Sequence, residues 1–279
     1  MRQTIFECDK LLVLKVPGTR EDVVFVTFEA LLPERAPGRA GFGESFFETR
    51  GFTAYHLQPT ANDWYHFPEM EPALAQVRAD IPEGTRVVTY GMSMGAYGAY
   101  RFSEPLRADA VIAFSPQYSV HPWRAWWERR WRCEGKSFLW DRKKPYAPAA
   151  KYVFYDPLNA DRRHINRMSR EASLKLVRIC FGGHATIALL QECGLLERVV
   201  LDIAKGELDI AALEAMAWEA RIASPTYQRT RQRKRTGLFR RMRYVAIEYF
   251  VNRRYATIRN PTVDSQPSEV GTSPTPGLT

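Results

Sequence analysis

Four cysteines in 279 residues, Cys8, Cys133, Cys180 and Cys193, are too few and too scattered for a metal-ligand spacing or a disulfide framework. Two fall in core-like segments, so reduced buried thiols are expected. No metal and no organic cofactor is called for. Long apolar runs are also missing. A membrane-spanning helix needs roughly eighteen or more consecutive apolar residues, and no such run occurs. The first residues, Met1 to Asp9, carry acids where a secretory leader would be apolar, which makes a cytoplasmic location the default expectation. Neither G-x-G-x-x-G nor G-x-x-x-x-G-K-[ST] occurs, which disfavours nucleotide binding. Histidine is scarce as well: His56, His66, His121, His164 and His184 are the only candidates for an imidazole base.

What is present reads as an alternating chain. Residues 4–16 and 23–28 (Val23-Val24-Phe25-Val26-Thr27-Phe28) form early strands, followed by a Gly-, Pro- and Arg-rich loop from Glu29 to Gly51. Further strands are expected at 52–57, 86–90, 110–114, 151–155 and 176–181. Helical patterns lie between or after them, at 71–81, 96–102, 161–172, 184–205 and 208–222. Strands alternating with helices imply an α/β class with a mostly parallel sheet. With 45% hydrophobic residues, residues 1–225 can bury one sizeable core.

The densest signal is Gly91-Met92-Ser93-Met94-Gly95. A β-branched run, Arg86-Val87-Val88-Thr89-Tyr90, precedes it, and small helix-compatible residues follow it. A strand that reverses sharply into a helix holds the central serine in a strained conformation above the sheet. Side chains two residues either side would collide, hence the two glycines. A serine hydroxyl needs a neighbouring imidazole to become nucleophilic. His56 falls in a strand, His66 in an aromatic loop, His121 at the start of an insertion and His164 in a helix. Only His184 follows a late strand and a glycine pair, Gly182-Gly183. The carboxylate that orients the imidazole is expected from Asp156, which ends the 151–155 strand and is held by Pro157. Asp161 is the runner-up, with helix capping as its better-supported role.

These residues resemble the α/β-hydrolase superfamily over about residues 4–222. The likeness rests on Gly91-Met92-Ser93-Met94-Gly95, Asp156 and Gly183-His184, in the chain order Ser, Asp, His. The stretch from Gly91 to Ala99 is similar to the elbows of compact bacterial serine hydrolases, some of which occur beside glycan-modifying enzymes. The resemblance implies an α/β-hydrolase fold with helices on both sheet faces. It also implies hydrolysis of an ester, thioester or amide through an acyl-serine, without metal or organic cofactor. The oxyanion donors are expected to be the N–H of Met94 and that of Ala30, with Gly41 or Gly43 as alternatives to Ala30. The His-Gly spelling common in lipases is absent there, and Glu29 is unhelpful beside an oxyanion unless its side chain turns away.

Residues 121–150 interrupt the alternation and are rich in tryptophan and arginine. They read either as a small cap over the site or as a surface excursion packed on its own tryptophans. Tryptophan with arginine suits a polar, ring-bearing substrate such as an acylated glycan, though a small molecule is equally compatible. Residues 226–260 form a basic amphipathic extension, with Arg229, Arg231, Arg233, Lys234, Arg235, Arg240, Arg241 and Arg243 around Leu238, Met242, Val245 and Tyr249. This stretch supplies much of the net charge of +9. A solvated face is one reading, and an anionic membrane surface or an acidic partner the other. No nucleic-acid module is visible, so nucleic acid is not expected. Residues 261–279 are Pro-, Ser- and Thr-rich and read as a disordered tail. Three functions remain: a serine esterase or deacylase, an acyltransferase on the same triad, and a non-catalytic binding module that keeps the fold.

Overall fold

The computed structural model describes residues 1–131, 137–234 and 238–259. The expected tail and several residues of the insertion and of the basic extension lie outside them. Two compact units are distinguished, residues 1–233 and residues 234–279.

The first unit is organised by a sheet whose described strands are β1 (Gln3–Glu7), β2 (Leu11–Val16), β3 (Arg20–Phe28), β4 (Phe52–Pro59), β5 (Arg86–Met92), β6 (Ala110–Phe114), β7 (Ala150–Tyr155) and β8 (Lys175–Arg178). Their spatial order is β1-β2-β4-β3-β5-β6-β7-β8. All neighbours from β4 to β8 pair in parallel, whereas β1 pairs antiparallel with β2, and β2 antiparallel with β4. The expected single early strand is therefore two. The chain reverses at Cys8 to Leu11, whose N–H and C=O groups bond each other across the turn.

The inner strands read as unbroken apolar runs because both faces are covered. On one face Val24, Val26, Phe28, Val87, Val111 and Val153 join one core with α2 (Met70–Asp80) and α3 (Met94–Arg101). On the other, Phe25 stacks on Phe47 of α1 (Glu44–Thr49) at 4.3 Å and Phe114 on Phe154 at 4.5 Å. Late helices follow β7 and β8: α4 (Arg162–Met168), α5 (Thr186–Glu192), α6 (Leu196–Lys205), α7 (Ile210–Ala220) and α8 (Pro225–Lys234). The helix expected from residue 184 to 205 is broken into α5 and α6 at Gly194, which takes φ +69°. The described cysteines, Cys8, Cys180 and Cys193, are half-buried, short of the core position expected of two of them.

In the second unit, α9 (Leu238–Arg259) leaves Met242, Val245, Tyr249 and Phe250 exposed. Among the described residues, no helix is long and apolar enough to cross a membrane.

One buried group gives the fold a measurable pH dependence. His56 of β4 is fully buried, with Nδ1 2.6 Å from Thr27 Oγ1. Its Nε2 has no hydrogen-bond partner among the described residues. Burial pushes this imidazole down to about 4, against a lesser upward pull from Glu44. Between that value and the ordinary one of 6.5, the unfolded chain takes up a proton that the folded chain refuses. Stability is therefore full above this window and falls as pH drops through it, by up to about 1.4 kcal/mol per pH unit for this group. Urea denaturation at about pH 7 and about pH 5 should show a smaller loss in His56→Gln than in the wild type. Equal losses would show that His56 does not carry the effect.

Candidate active site

The site lies at the C-terminal edge of the parallel strands, where open α/β sheets place their ligands. At the end of β5 the chain turns into α3 through Ser93, whose φ of 55° and ψ of −119° are sparsely populated for a non-glycine residue. The glycines are dictated by contact. A Cβ on Gly91 would stand 2.3 Å from the backbone carbon of Gly95, and one on Gly95 would stand 2.1 Å from the carbonyl oxygen of Phe28. Strand β3, strand β5 and helix α3 thus meet backbone to backbone, and Ser93 is forced above them. Its N–H donates to the Phe114 carbonyl at 2.9 Å, which fixes the turn to β6.

His184 lies in the loop between β8 and α5. Phe181 and Gly183 take φ of 65° and 62° there, so the loop is tightly folded. His184 Nε2 is 2.9 Å from Ser93 Oγ, and its Nδ1 is 2.7 Å from Asp161 Oδ2. The structure brings Ser93 and His184 together as expected from the sequence. The carboxylate beside the imidazole, however, belongs to Asp161.

Asp156, expected in that place, engages the backbone: Oδ1 accepts from Leu158 N–H at 2.9 Å and Oδ2 from Gly183 N–H at 3.0 Å. The first bond is an Asx-type turn, in which an aspartate bonds the backbone two residues on. The second pins the loop that carries His184. Asp161 does precede α4 as its N-cap residue, but its side chain makes no capping bond. Both its oxygens are turned to the site. The sequence offered a clue in Asp156-Pro157-Leu158, a turn spelling that commits the first carboxylate locally.

Residues from the insertion also reach this point, which sequence reasoning had not singled out. Arg130 donates to Asp161 Oδ1 at 2.7 Å, and the Trp131 ring lies 5.0 Å from the imidazole of His184, centre to centre. Trp131 also packs 5.9 Å from Trp64, itself fully buried. The insertion is tied down by fully buried Arg101 of α3, which donates to the carbonyls of Tyr118 and Lys143 at 2.7 and 2.6 Å. The described part of residues 121–150 therefore adjoins the Ser93–His184 pair, while Trp123 and Trp126 stay exposed. Burial alone would raise the Asp161 carboxyl, but hydrogen bonds from His184 and Arg130 hold it below the usual carboxylate range. The same balance of burial, His164 and Arg130 holds Glu128 well below its ordinary value.

Two N–H groups are expected beside the serine. That of Met94 opens α3 directly after the nucleophile position. The Glu29–Ala30 peptide packs on the elbow, since the Glu29 carbonyl carbon lies 3.0 Å from a Cβ built on Gly95. Its carbonyl accepts from Tyr65 Oη at 2.8 Å, so in a trans peptide the Ala30 N–H points the opposite way. Tyr65 and its neighbour Trp64 hold φ of 62° and 57°, sparsely populated for non-glycine residues. The Glu29 side chain turns away and pairs bidentately with Arg39 at 2.7 Å. Of the alternatives, Gly41 spends its N–H on Glu44 Oε2 at 2.7 Å and Gly43 is the N-cap residue of α1. Among the described residues, no three His, Cys, Asp or Glu side chains form a group that could hold a metal ion.

With the geometry in hand, the chain can be set beside known structures. No protein-family model matches it and no curated protein is similar to it in sequence. Among solved structures it is similar to the capsule O-acetyltransferase of Neisseria meningitidis serogroup A, with TM-score 0.52 and 13% identity over 72% of this chain and 94% of that one. The complex of a mutant of that enzyme with CoA gives TM-score 0.51 and 14% identity, over 71% of this chain and 93% of that one. Est1E from Butyrivibrio proteoclasticus, with ferulic acid bound, gives TM-score 0.50 and 12% identity over 72% and 99% of the two chains. The chain has the α/β-hydrolase fold.

The elbow contact is directly testable. Gly95→Ala should destabilise the protein by about 2–4 kcal/mol or prevent folding, because the new methyl has only backbone to displace. Urea denaturation of the variant decides this, and a wild-type midpoint would mean that β3 and α3 do not pack as described.

Proposed function

We propose that the protein is a serine hydrolase that cleaves an ester through an acyl-serine intermediate, with Ser93, His184 and Asp161 as its triad. The observation that carries this reading is the continuous pair of hydrogen bonds from Ser93 Oγ to His184 and on to Asp161, at 2.9 and 2.7 Å.

The geometry supports a full proton itinerary. Asp161 accepts from Nδ1–H, which leaves Nε2 unprotonated and facing the hydroxyl. As Oγ attacks the acyl carbon, its proton passes to Nε2 and the imidazolium is stabilised by the Asp161 carboxylate. Charge on the carbonyl oxygen is met by the N–H groups of Met94 and Ala30. Nε2–H then protonates the departing alkoxide, and the acyl group remains on Ser93. Water, deprotonated by the same imidazole, attacks the acyl carbon and releases the acid and the serine. Asp156 holds the His184 loop and takes no part in proton transfer.

A second reading has an alcohol intercepting the acyl-serine in place of water. Its support is the likeness of fold to the Neisseria enzyme, an O-acetyltransferase by name. The half-buried Trp131 ring beside His184, backed by Trp64, offers a surface on which a sugar ring can stack, which suits an acylated glycan as donor or acceptor.

A fluorophosphonate probe should label the wild type and leave Ser93→Ala unlabelled. Asp161→Asn should lower the labelling rate by about 10³–10⁴-fold, while Asp156→Asn should cost far less. Labelling of neither wild type nor variant would favour a binding module. If labelling succeeds, partition of a p-nitrophenyl acetate acyl group between water and an added sugar separates hydrolase from transferase.

A further inference from the structure

Behind the imidazole stand two charges of the insertion that none of these steps employs. Glu128 and Asp161 are both buried, and Arg130 spans them. Its guanidinium donates to Glu128 Oε2 at 2.6 Å and to Asp161 Oδ1 at 2.7 Å, and its own backbone N–H donates to Glu128 Oε1 at 2.7 Å. Glu128 is further fixed by His164 Nε2 at 2.9 Å. His164 Nδ1 accepts from Tyr118 N–H at 3.1 Å, so this ring keeps its proton on Nε2 and is neutral.

We propose that Arg130 and Glu128 are a positioning pair through which the insertion sets the charge around His184, acting by way of Asp161. The inference rests on the acyl-serine reading and deepens it. Two carboxylates and one guanidinium leave the resting cluster with one net negative charge. When His184 takes the Ser93 proton, the cluster becomes neutral. Glu128 thus favours the imidazolium from a distance, and Arg130 opposes it while holding the Asp161 carboxylate in place. The remaining neighbours are the same whichever of the two is altered. Asp156 lies under Gly183, while Thr230 and Asn159, which also approach Gly183, are uncharged. Trp131 covers the imidazole and stacks on the Arg130 guanidinium at 4.1 Å.

The test is the rate of fluorophosphonate labelling of Ser93 in the full chain across about pH 5 to 9, with each variant's folding checked by its thermal melt. Glu128→Gln should move the acid limb of the profile to lower pH, and Arg130→Gln should move it to higher pH, each by about half to one unit. Arg130→Lys keeps the charge and should leave the limb in place while slowing labelling. Should Arg130→Gln fail to fold, Glu128→Gln, Arg130→Lys and the double variant Glu128→Gln/Arg130→Gln carry the test. The double variant restores the net charge, and its limb should lie near that of the wild type. A slower rate with no displacement in the single glutamine variants, or displacement of both in one direction, would reduce the pair to a structural role and overturn the proposal. A wild type that does not label at all would instead remove the acyl-serine reading, so the two failures are distinct.

Discussion

Everything at this site depends on three stretches of backbone meeting without a side chain between them. Gly95 lies against the Phe28 carbonyl, Gly91 against Gly95, and Gly98 against the Phe28 ring, where a Cβ would stand 2.6 Å away. These approaches leave the chain no route but a sharp reversal. The serine at its apex takes a left-handed φ as a consequence. The same contact presses the end of β3 onto the elbow, so the Glu29–Ala30 peptide lies beside Ser93 without any loop motif dedicated to that purpose. Ser93 and the Glu29–Ala30 peptide are placed by one packing constraint.

The second constraint is electrostatic. Burying Asp161 and Glu128 is unfavourable unless each is bonded, and the two share Arg130. Because Arg130 belongs to the insertion, the carboxylate nearest His184 is completed by a segment outside the alternating β/α pattern. The insertion is in turn fixed by Arg101 on the elbow helix and by Arg124, which pairs with Asp141 at 3.2 Å and Glu171 at 3.2 Å. Displacing residues 121–131 would uncover two buried carboxylates at once.

The parts of this arrangement that were legible in the sequence are those set by local sterics. Gly91, Ser93 and Gly95 announce a turn that few other residues permit, and the continuous apolar strands announce a sheet covered on both faces. Gly183 before His184 marks a tight loop. The identity of the carboxylate was not legible, because Asp156 and Asp161 lie five residues apart and both satisfy position along the chain. What separates them is which backbone N–H groups lie within reach, and Gly183 comes to Asp156 only after folding. The antiparallel β1 and β2 were hidden for a related reason: residues 4–16 hold two short apolar runs parted only by Glu7 to Lys10, and the short turn at Cys8 to Leu11 carries no glycine or proline. Arg130 was invisible among neighbours of the same type, since its distinction is a contact 31 residues away in sequence.

On the proposed reading, whether water or an alcohol takes the acyl group is decided by what can occupy the space facing the Ser93 ester when the base is free. A hydrolase needs an ordered water within reach of Nε2, whereas a transferase needs a surface that holds an acceptor there longer than water competes. Trp131 bears on that choice because one ring touches both His184 and Arg130. An acceptor stacked on it would lie beside the general base, and it would also cover Arg130, whose side chain is 34% exposed. Screening that guanidinium from water strengthens its hold on Asp161 and Glu128. On the proposed acyl-serine reading, acceptor binding and the charge state of the triad would thereby be coupled through Trp131, and the insertion would be the element where substrate choice and acid–base balance are set together.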